Sequence, residues 1–296
     1  MDPLNQTGSR IIPFPTTGSR LESSRGAYTV GQRIGDGQYG SVYEVVGPFD
    51  QVYALKMFRP ANRHYQTVKQ EWADEMSRLE KFRHPNIVYI HDAFEFDNLF
   101  YIALERCDTS LRSLTRTGPL ADNYFFEFAR QLLMALAYLH DKGLVHSDLH
   151  AGNVLVSQMH SQPLVKIADF GVAHQLEGQH WYRPQVANPR ILAPELVTQG
   201  YTTRQSDLYQ LGLLLFRMHT GRAALADDTP SEQIPQLIAD GVPRQAAEGL
   251  GTPIGNVIAK LLRRRDAYRY HSAREIWEDL RQLRAMAATG EAPAPR

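Results

Sequence analysis

Asp148 and Asn153 stand five residues apart in the run His146-Ser147-Asp148-Leu149-His150-Ala151-Gly152-Asn153. The carboxylate offers an acceptor for a hydroxyl proton, and the carboxamide oxygen offers a ligand for a metal ion. Sixteen residues past Asn153, Asp169 opens Asp169-Phe170-Gly171 and brings a hard anionic oxygen suited to Mg²⁺. Upstream, Gly35-Asp36-Gly37-Gln38-Tyr39-Gly40 would let backbone come close to phosphates. Lys56 follows Gly40 by sixteen residues inside an apolar run, and Glu75 follows Lys56 by nineteen. Each of these two charges is costly to bury alone, and together they could form an ion pair. Taken singly, every one of these features also has a structural reading: a glycine turn, surface charges, a turn ending a strand.

The elements that must position these residues change character once along the chain. Segments 28–34, 41–46, 52–58, 87–96 and 99–107 are short, β-branched and aromatic, bounded by Gly, Pro, Asp and Asn, and are predicted strands. A helix is predicted over 64–82, where Val68, Trp72, Glu75, Met76 and Leu79 recur at three- and four-residue steps. The glycine run leads into a strand at 41–46, which excludes a dinucleotide fingerprint, where a helix follows the glycines. Beyond Cys107 the pattern turns helical, with Phe125, Phe128, Leu132, Leu136 and Leu139 forming one stripe of a helix over 120–140. Short strands near 154–156 and 165–167 precede helices near 203–219, 231–240, 253–264 and 273–286. The expectation is an α+β protein, a five-stranded antiparallel sheet with one helix followed by a mainly helical lobe, with a cleft between the two. Residues 1–26 and 285–296 are expected to be flexible tails, flanking lobes at 27–107 and 108–284.

The 296 residues carry 32 basic and 32 acidic side chains, a balance that argues against a nucleic-acid or anionic-membrane binder. A single cysteine, Cys107, forms no intrachain disulfide, and no stretch reaches the length of a membrane helix. A soluble, cytoplasmic protein is expected.

In this order and at this spacing the motifs resemble those of the eukaryotic-type, or Hanks-type, protein kinases, over about residues 28 to 284. Ala193-Pro194-Glu195, Ser206-Asp207-Leu208-Tyr209-Gln210-Leu211-Gly212 and Arg269 complete the set. The resemblance implies a bilobal kinase fold, ATP and Mg²⁺ (with Mn²⁺ as an alternative), and a protein substrate, serine or threonine rather than tyrosine. It assigns Gly35, Gly37 and Gly40 to the phosphates and Lys56, paired with Glu75, to the α- and β-phosphates. Asp148 becomes the catalytic base, and Asn153 and Asp169 the metal ligands. Val42, Ala54 and Leu155 would sandwich adenine, Leu104 would be the gatekeeper, and Glu105 to Cys107 the hinge. Glu195 and Arg269 would form a buried ion pair, and Asp207 would brace the catalytic loop.

Three departures from the family pattern bear on control. Ser147 replaces the usual Arg before the catalytic Asp, and residues 172–192 contain no Ser or Thr, Tyr182 being their one hydroxyl. Both halves of the usual phosphorylation switch are missing, so activity independent of Ser/Thr phosphorylation in this segment is expected. His150 stands where Ser/Thr kinases carry a Lys that contacts the γ-phosphate, and Asn188 where they usually carry a Thr. The pair suggests a rebuilt contact, with a His150 charge titrating near neutrality. Two rival readings stay open, a non-catalytic binding scaffold and a small-molecule phosphotransferase. Autophosphorylation within the N-terminal tail and control by a partner protein are open as well.

Overall fold

In a computed structural model, residues 14–36, 40–58, 64–158, 162–185 and 187–289 are described. They divide into two compact units, one of residues up to 83 together with 88–107, the other of 84–87 and 108 onward.

The first unit is built on a sheet of β1 (Arg20–Ser23), β2 (Gly26–Asp36), β3 (Gly40–Val46), β4 (Val52–Phe58), β5 (Ile90–Phe96) and β6 (Leu99–Glu105), in the order β1-β2-β3-β4-β6-β5. Every pairing is antiparallel. Asp97 and Asn98 turn β5 into β6 with φ of 50° and 59°, a left-handed pair whose twist suits a tight hairpin. The sheet has six strands rather than the expected five. Arg20–Ser23, assigned from composition to the tail, pairs with Gly26–Thr29, because Leu21 supplies one apolar side chain that the sheet buries. Ser23 donates to Asp92 and is half-buried in this strand, so it does not share the exposure expected of a tail hydroxyl.

Strand alternation decides what faces what. Val45, Leu55, Met57, Tyr101 and Ala103 share one face and form a core with Leu21, Tyr28, Val30, Phe94 and Leu99. On the opposite face, Val42 lies across from Lys56 and Ala54 across from Leu104. Helix α1 (Tyr65–Glu80) packs on the sheet through Trp72, whose indole N–H donates to the Tyr101 carbonyl at 3.0 Å and whose ring stacks on Phe100.

The second unit begins with β7 (Thr109–Ser110), α2 (Leu111–Leu114) and α3 (Asp122–Asp141), followed by β8 (Leu144–Val145), β9 (Val154–Ser157), β10 (Leu164–Ile167) and β11 (His174–Gln175). It closes with α4 (Pro194–Gln199), α5 (Arg204–Thr220), α6 (Ile234–Asp240), α7 (Val242–Glu248), α8 (Pro253–Leu261) and α9 (Ala273–Thr289). The stripe read from the sequence, Phe125 to Leu139, is the buried face of α3, which packs on α5, α9 and β10. Burying each such side chain contributes roughly 1.5–3 kcal/mol. A capping box at Thr203 and Ser206 starts α5, and Gly221 ends it at φ 74°. At Gly212 a Cβ would lie 2.9 Å from Leu261 Cβ, so α5 and α8 approach closely there. Among the described residues no helix is long and apolar enough to cross a membrane.

Candidate active site

Lys56 and Glu75 meet inside the first unit. The Lys56 Nζ lies 2.7 Å and 2.8 Å from the two Glu75 carboxylate oxygens, with 9% and 1% of the side chains exposed. Glu75 sits on the α1 face that turns to the sheet, and Lys56 on the sheet face that receives it. The Lys56 ammonium also stands 5.2 Å from the Phe58 ring centroid, a second favourable contact for a buried cation.

Around this pair lie the other expected nucleotide residues of the first unit. Val42, Ala54 and Leu104 share the Lys56 face of the sheet, with Val42 and Ala54 half-buried and Leu104 buried. Glu105 exchanges bonds with Tyr89, donating its N–H to the Tyr89 carbonyl at 2.9 Å and accepting the Tyr89 N–H at 2.7 Å. Cys107 is buried and takes part in no disulfide. Gly37 lies outside the described residues. Gly35 is open enough that a Cβ would meet Val42 at 3.5 Å, whereas at Gly40 it would lie 2.0 Å from the Met57 carbonyl oxygen. Gly40 is therefore required by the β3–β4 pairing itself.

In the second unit the loop 146–153 is held by α5. Asp207, fully buried in the first turn of that helix, accepts the backbone N–H of His146 at 2.9 Å and of Ser147 at 2.8 Å, and faces His140 Nε2 at 2.9 Å. Two consecutive N–H groups can point at one carboxylate because Ser147 adopts φ 68°. One turn on, Gln210 accepts the Leu149 N–H at 2.9 Å and donates to the Ser147 carbonyl at 3.0 Å. No role for Gln210 follows from the sequence motif alone. Its spacing of three from Asp207 does place both on one helix face, and that signal was available.

Asp148 and Asn153 are in direct contact. The Asn153 Nδ2 donates to the Asp148 carbonyl and to its Oδ2, both at 3.0 Å, fixing the carboxylate across the loop. The β9–β10 hairpin extends this order, since Ala168 N–H donates to the Asn153 carbonyl at 2.8 Å. Asp169, the next residue, has φ 64°. Leu155, half-buried in β9, lies in the same hairpin. His146 packs edge-on against Phe170, with centroids 4.9 Å apart. Burial pushes its pKa down, against the opposing pull of Asp207 and Asp169.

His150 departs from expectation. Its Nδ1 accepts the N–H groups of Gly152 at 2.9 Å and Asn153 at 3.2 Å, while Nε2 lies 3.6 Å from Asp148 Oδ2. Burial, and then the nearby Arg112 cation, push its pKa down to about 4. Both causes work against a charge titrating near neutrality, because a ring largely buried within its own loop is costly to protonate. Nor does Asn188 rebuild a contact with it. Among the described residues the Asn188 side chain bonds to Arg190 N–H at 3.1 Å, capping the turn Pro189–Ile191.

The structural pair of the helical unit is present as expected. Arg269 grips Glu195 through two bonds, of 2.9 Å and 2.6 Å, with both side chains almost fully buried.

Residues 28–280 match the family model of the protein kinase domain. A probable serine/threonine-protein kinase of Dictyostelium discoideum is 30% identical over 222 residues, 74% of this chain and 44% of that protein. Probable serine/threonine-protein kinase PknB of Lactococcus lactis is 29% identical over 280 residues, 89% of this chain and 43% of that protein. Serine/threonine-protein kinase PrkC of Bacillus subtilis is 26% identical, covering 86% of this chain and 40% of that protein. The chain spans less than half the length of these relatives. A match that begins at Tyr28 in the sheet and ends at Leu280 in the last helix takes in both folded units, and the chain belongs to the protein kinase family, of the Hanks type.

Proposed function

We propose that this chain transfers the γ-phosphoryl group of ATP to serine or threonine hydroxyls of proteins, with Asp148 as the base. The observation that carries the reading is the Asp148–Asn153 pair on a loop held by Asp207 and Gln210. It presents an oriented carboxylate on a loop held by several hydrogen bonds. The acceptor oxygen bonds to the γ-phosphorus, its proton passes to Asp148, and the bond to the oxygen bridging the β-phosphate breaks to release ADP. Lys56, oriented by Glu75, takes the α- and β-phosphates. Gly35 and Gly37 allow the close approach of backbone to those oxygens, and Gly40 shapes the strand behind them. Val42, Ala54, Leu104 and Leu155 supply apolar surface for adenine, and the backbone of Glu105 and Cys107 supplies its hydrogen-bond partners.

Asn153 and Asp169 suit Mg²⁺. The Asn153 amide nitrogen is committed to Asp148, which leaves the carboxamide oxygen as the donor atom, and Asp169 adds an anionic oxygen. The ion would neutralise charge on the phosphate oxygens. His150 braces the loop through Nδ1 and turns Nε2 toward Asp148.

The segment 172–192 holds no Ser or Thr, and Ser147 removes the cation that a phosphate would meet. We infer that activity does not depend on Ser/Thr phosphorylation there. The test is incubation with Mg²⁺ and ATP beside Asp148→Asn, followed by intact mass, site mapping and ADP release. Phosphate gain on Ser or Thr by the wild type alone is expected. ATP binding with no phosphate gain and no ADP release on protein substrates would sink the proposal in favour of a scaffold.

A further inference from the structure

Tyr182 carries the one hydroxyl of the segment 172–192, and that hydroxyl is hydrogen-bonded to the Ser147 hydroxyl in the residue directly before Asp148. The two departures from the kinase pattern are therefore in contact. Several further contacts hold Tyr182 in this pose. Its ring stacks on His174 at 4.0 Å with planes 19° apart, and it is 9% exposed in a small cluster with Val145 and Leu176. Its backbone exchanges two hydrogen bonds with Thr202, of 3.1 Å and 2.9 Å, just ahead of the α5 cap. His174 lies in β11, which pairs with β8, the strand leading into the catalytic loop.

We propose that Tyr182 is a positioning residue, a neutral clasp that docks the segment 172–192 onto the catalytic loop in place of a phosphate–Arg pair. The inference rests on the kinase reading above. The physical logic is local. A phosphate–guanidinium contact is strong and switchable because it is charged, whereas a hydroxyl–hydroxyl bond in a half-dry site is weaker and permanent. Ser147 serves both ends: its N–H is held by Asp207 and its side chain by Tyr182. Loss of the clasp would loosen the segment and with it the alignment of Asp148 toward an acceptor, while nucleotide contacts made elsewhere would stay.

The test compares Tyr182→Phe, Ser147→Ala, Ser147→Gly and the Tyr182→Phe/Ser147→Ala double variant in the full chain. Tyr124→Phe, at an exposed helix position, is the control. A neutral hydrogen bond supports an expected fall in kcat of roughly three- to tenfold for each single variant, with KM for ATP within about twofold of wild type. The double variant should be no slower than the worse single, as for two ends of one interaction. Ser147→Gly is informative because glycine relaxes φ 68°, so a loss there reports the hydroxyl and not the backbone. Amide exchange across 172–185 should quicken in the same variants. Unchanged kcat, losses that multiply in the double variant, or a wild type whose activity needs phosphate on Tyr182 would each overturn the proposal. If the wild type transfers no phosphate, the kinase reading fails separately. The clasp is then judged on amide exchange alone, where unchanged rates overturn it.

Discussion

Glu195 and Arg269, 74 residues apart in sequence, meet in a two-pronged ion pair with almost no solvent exposure. Ser206 adds a 2.6 Å bond to the same carboxylate, and Arg269 also donates to the carbonyls of Arg263 and Gln205. Its guanidinium stands 5.0 Å from the Tyr209 ring centroid. One contact set thus ties α4, the start of α5 and the approach to α9. Removing one partner strands a buried charge, at a cost of about 3–5 kcal/mol. Glu195→Gln is expected to lower the urea midpoint by that equivalent, with the residual folded fraction still binding ATP. A midpoint unchanged from wild type would show that the pair is not what fastens these helices.

Lys56 and Glu75 allow stability to be separated from chemistry. Glu75→Gln leaves Lys56 buried without its anion, so a loss of about 3 kcal/mol or more is expected together with loss of turnover. In Lys56→Met/Glu75→Leu both charges go, and apolar groups of similar size replace them. Stability should recover largely while phosphotransfer stays absent. Recovery of turnover in the double variant would remove Lys56 from the proposed phosphate contacts.

The glycines of the first motif should behave differently from one another. At Gly40 an added Cβ collides with the Met57 carbonyl, and backbone gives way only with the sheet. Gly40→Ala is expected to cost about 1–3 kcal/mol in thermal or urea unfolding. At Gly35 the same methyl finds ordinary contact with Val42. Gly35→Ala should unfold like wild type, so any rise in its KM for ATP reports crowding of the nucleotide. Equal destabilisation of the two variants would contradict the geometry.

Burial pushes the pKa of His84, His146 and His219 down from the ordinary 6.5. At His84 the Lys166 cation adds to it, and at His219 Asp122 works against it. The folded state therefore refuses protons that the unfolded chain accepts. The stabilisation is fully present above about pH 6.5 and is lost as the pH falls below it. A urea midpoint that declines from pH 7 to pH 5 is the expected result. His84→Asn, which keeps an acceptor for the Asn86 N–H, should flatten that slope. A slope identical to wild type would exclude His84 as a contributor.

Much of this arrangement is legible in the sequence. Period-two and period-3.6 patterns gave the sheet-rich and helical parts, because burial of one face imposes those periods locally. The family order of Lys56, Glu75, Asp148, Asn153 and Asp169 named the candidate site. Strand β1 is not legible in the sequence, because four residues with one buried Leu21 carry no period to read. The short α4 and α7, of six and seven residues, span too few turns for a helical period to be read from them.

What the sequence determined by itself was the set of chemical groups and the absence of Ser and Thr in residues 172–192, both properties of composition and order. What only the tertiary structure decided was where those groups point. Strand register puts Lys56 on the α1 face, and burial within its own loop pushes the pKa of His150 down. A contact between Ser147 and Tyr182, 35 residues apart, depends on how β8, β11 and α5 pack, and no local pattern encodes it.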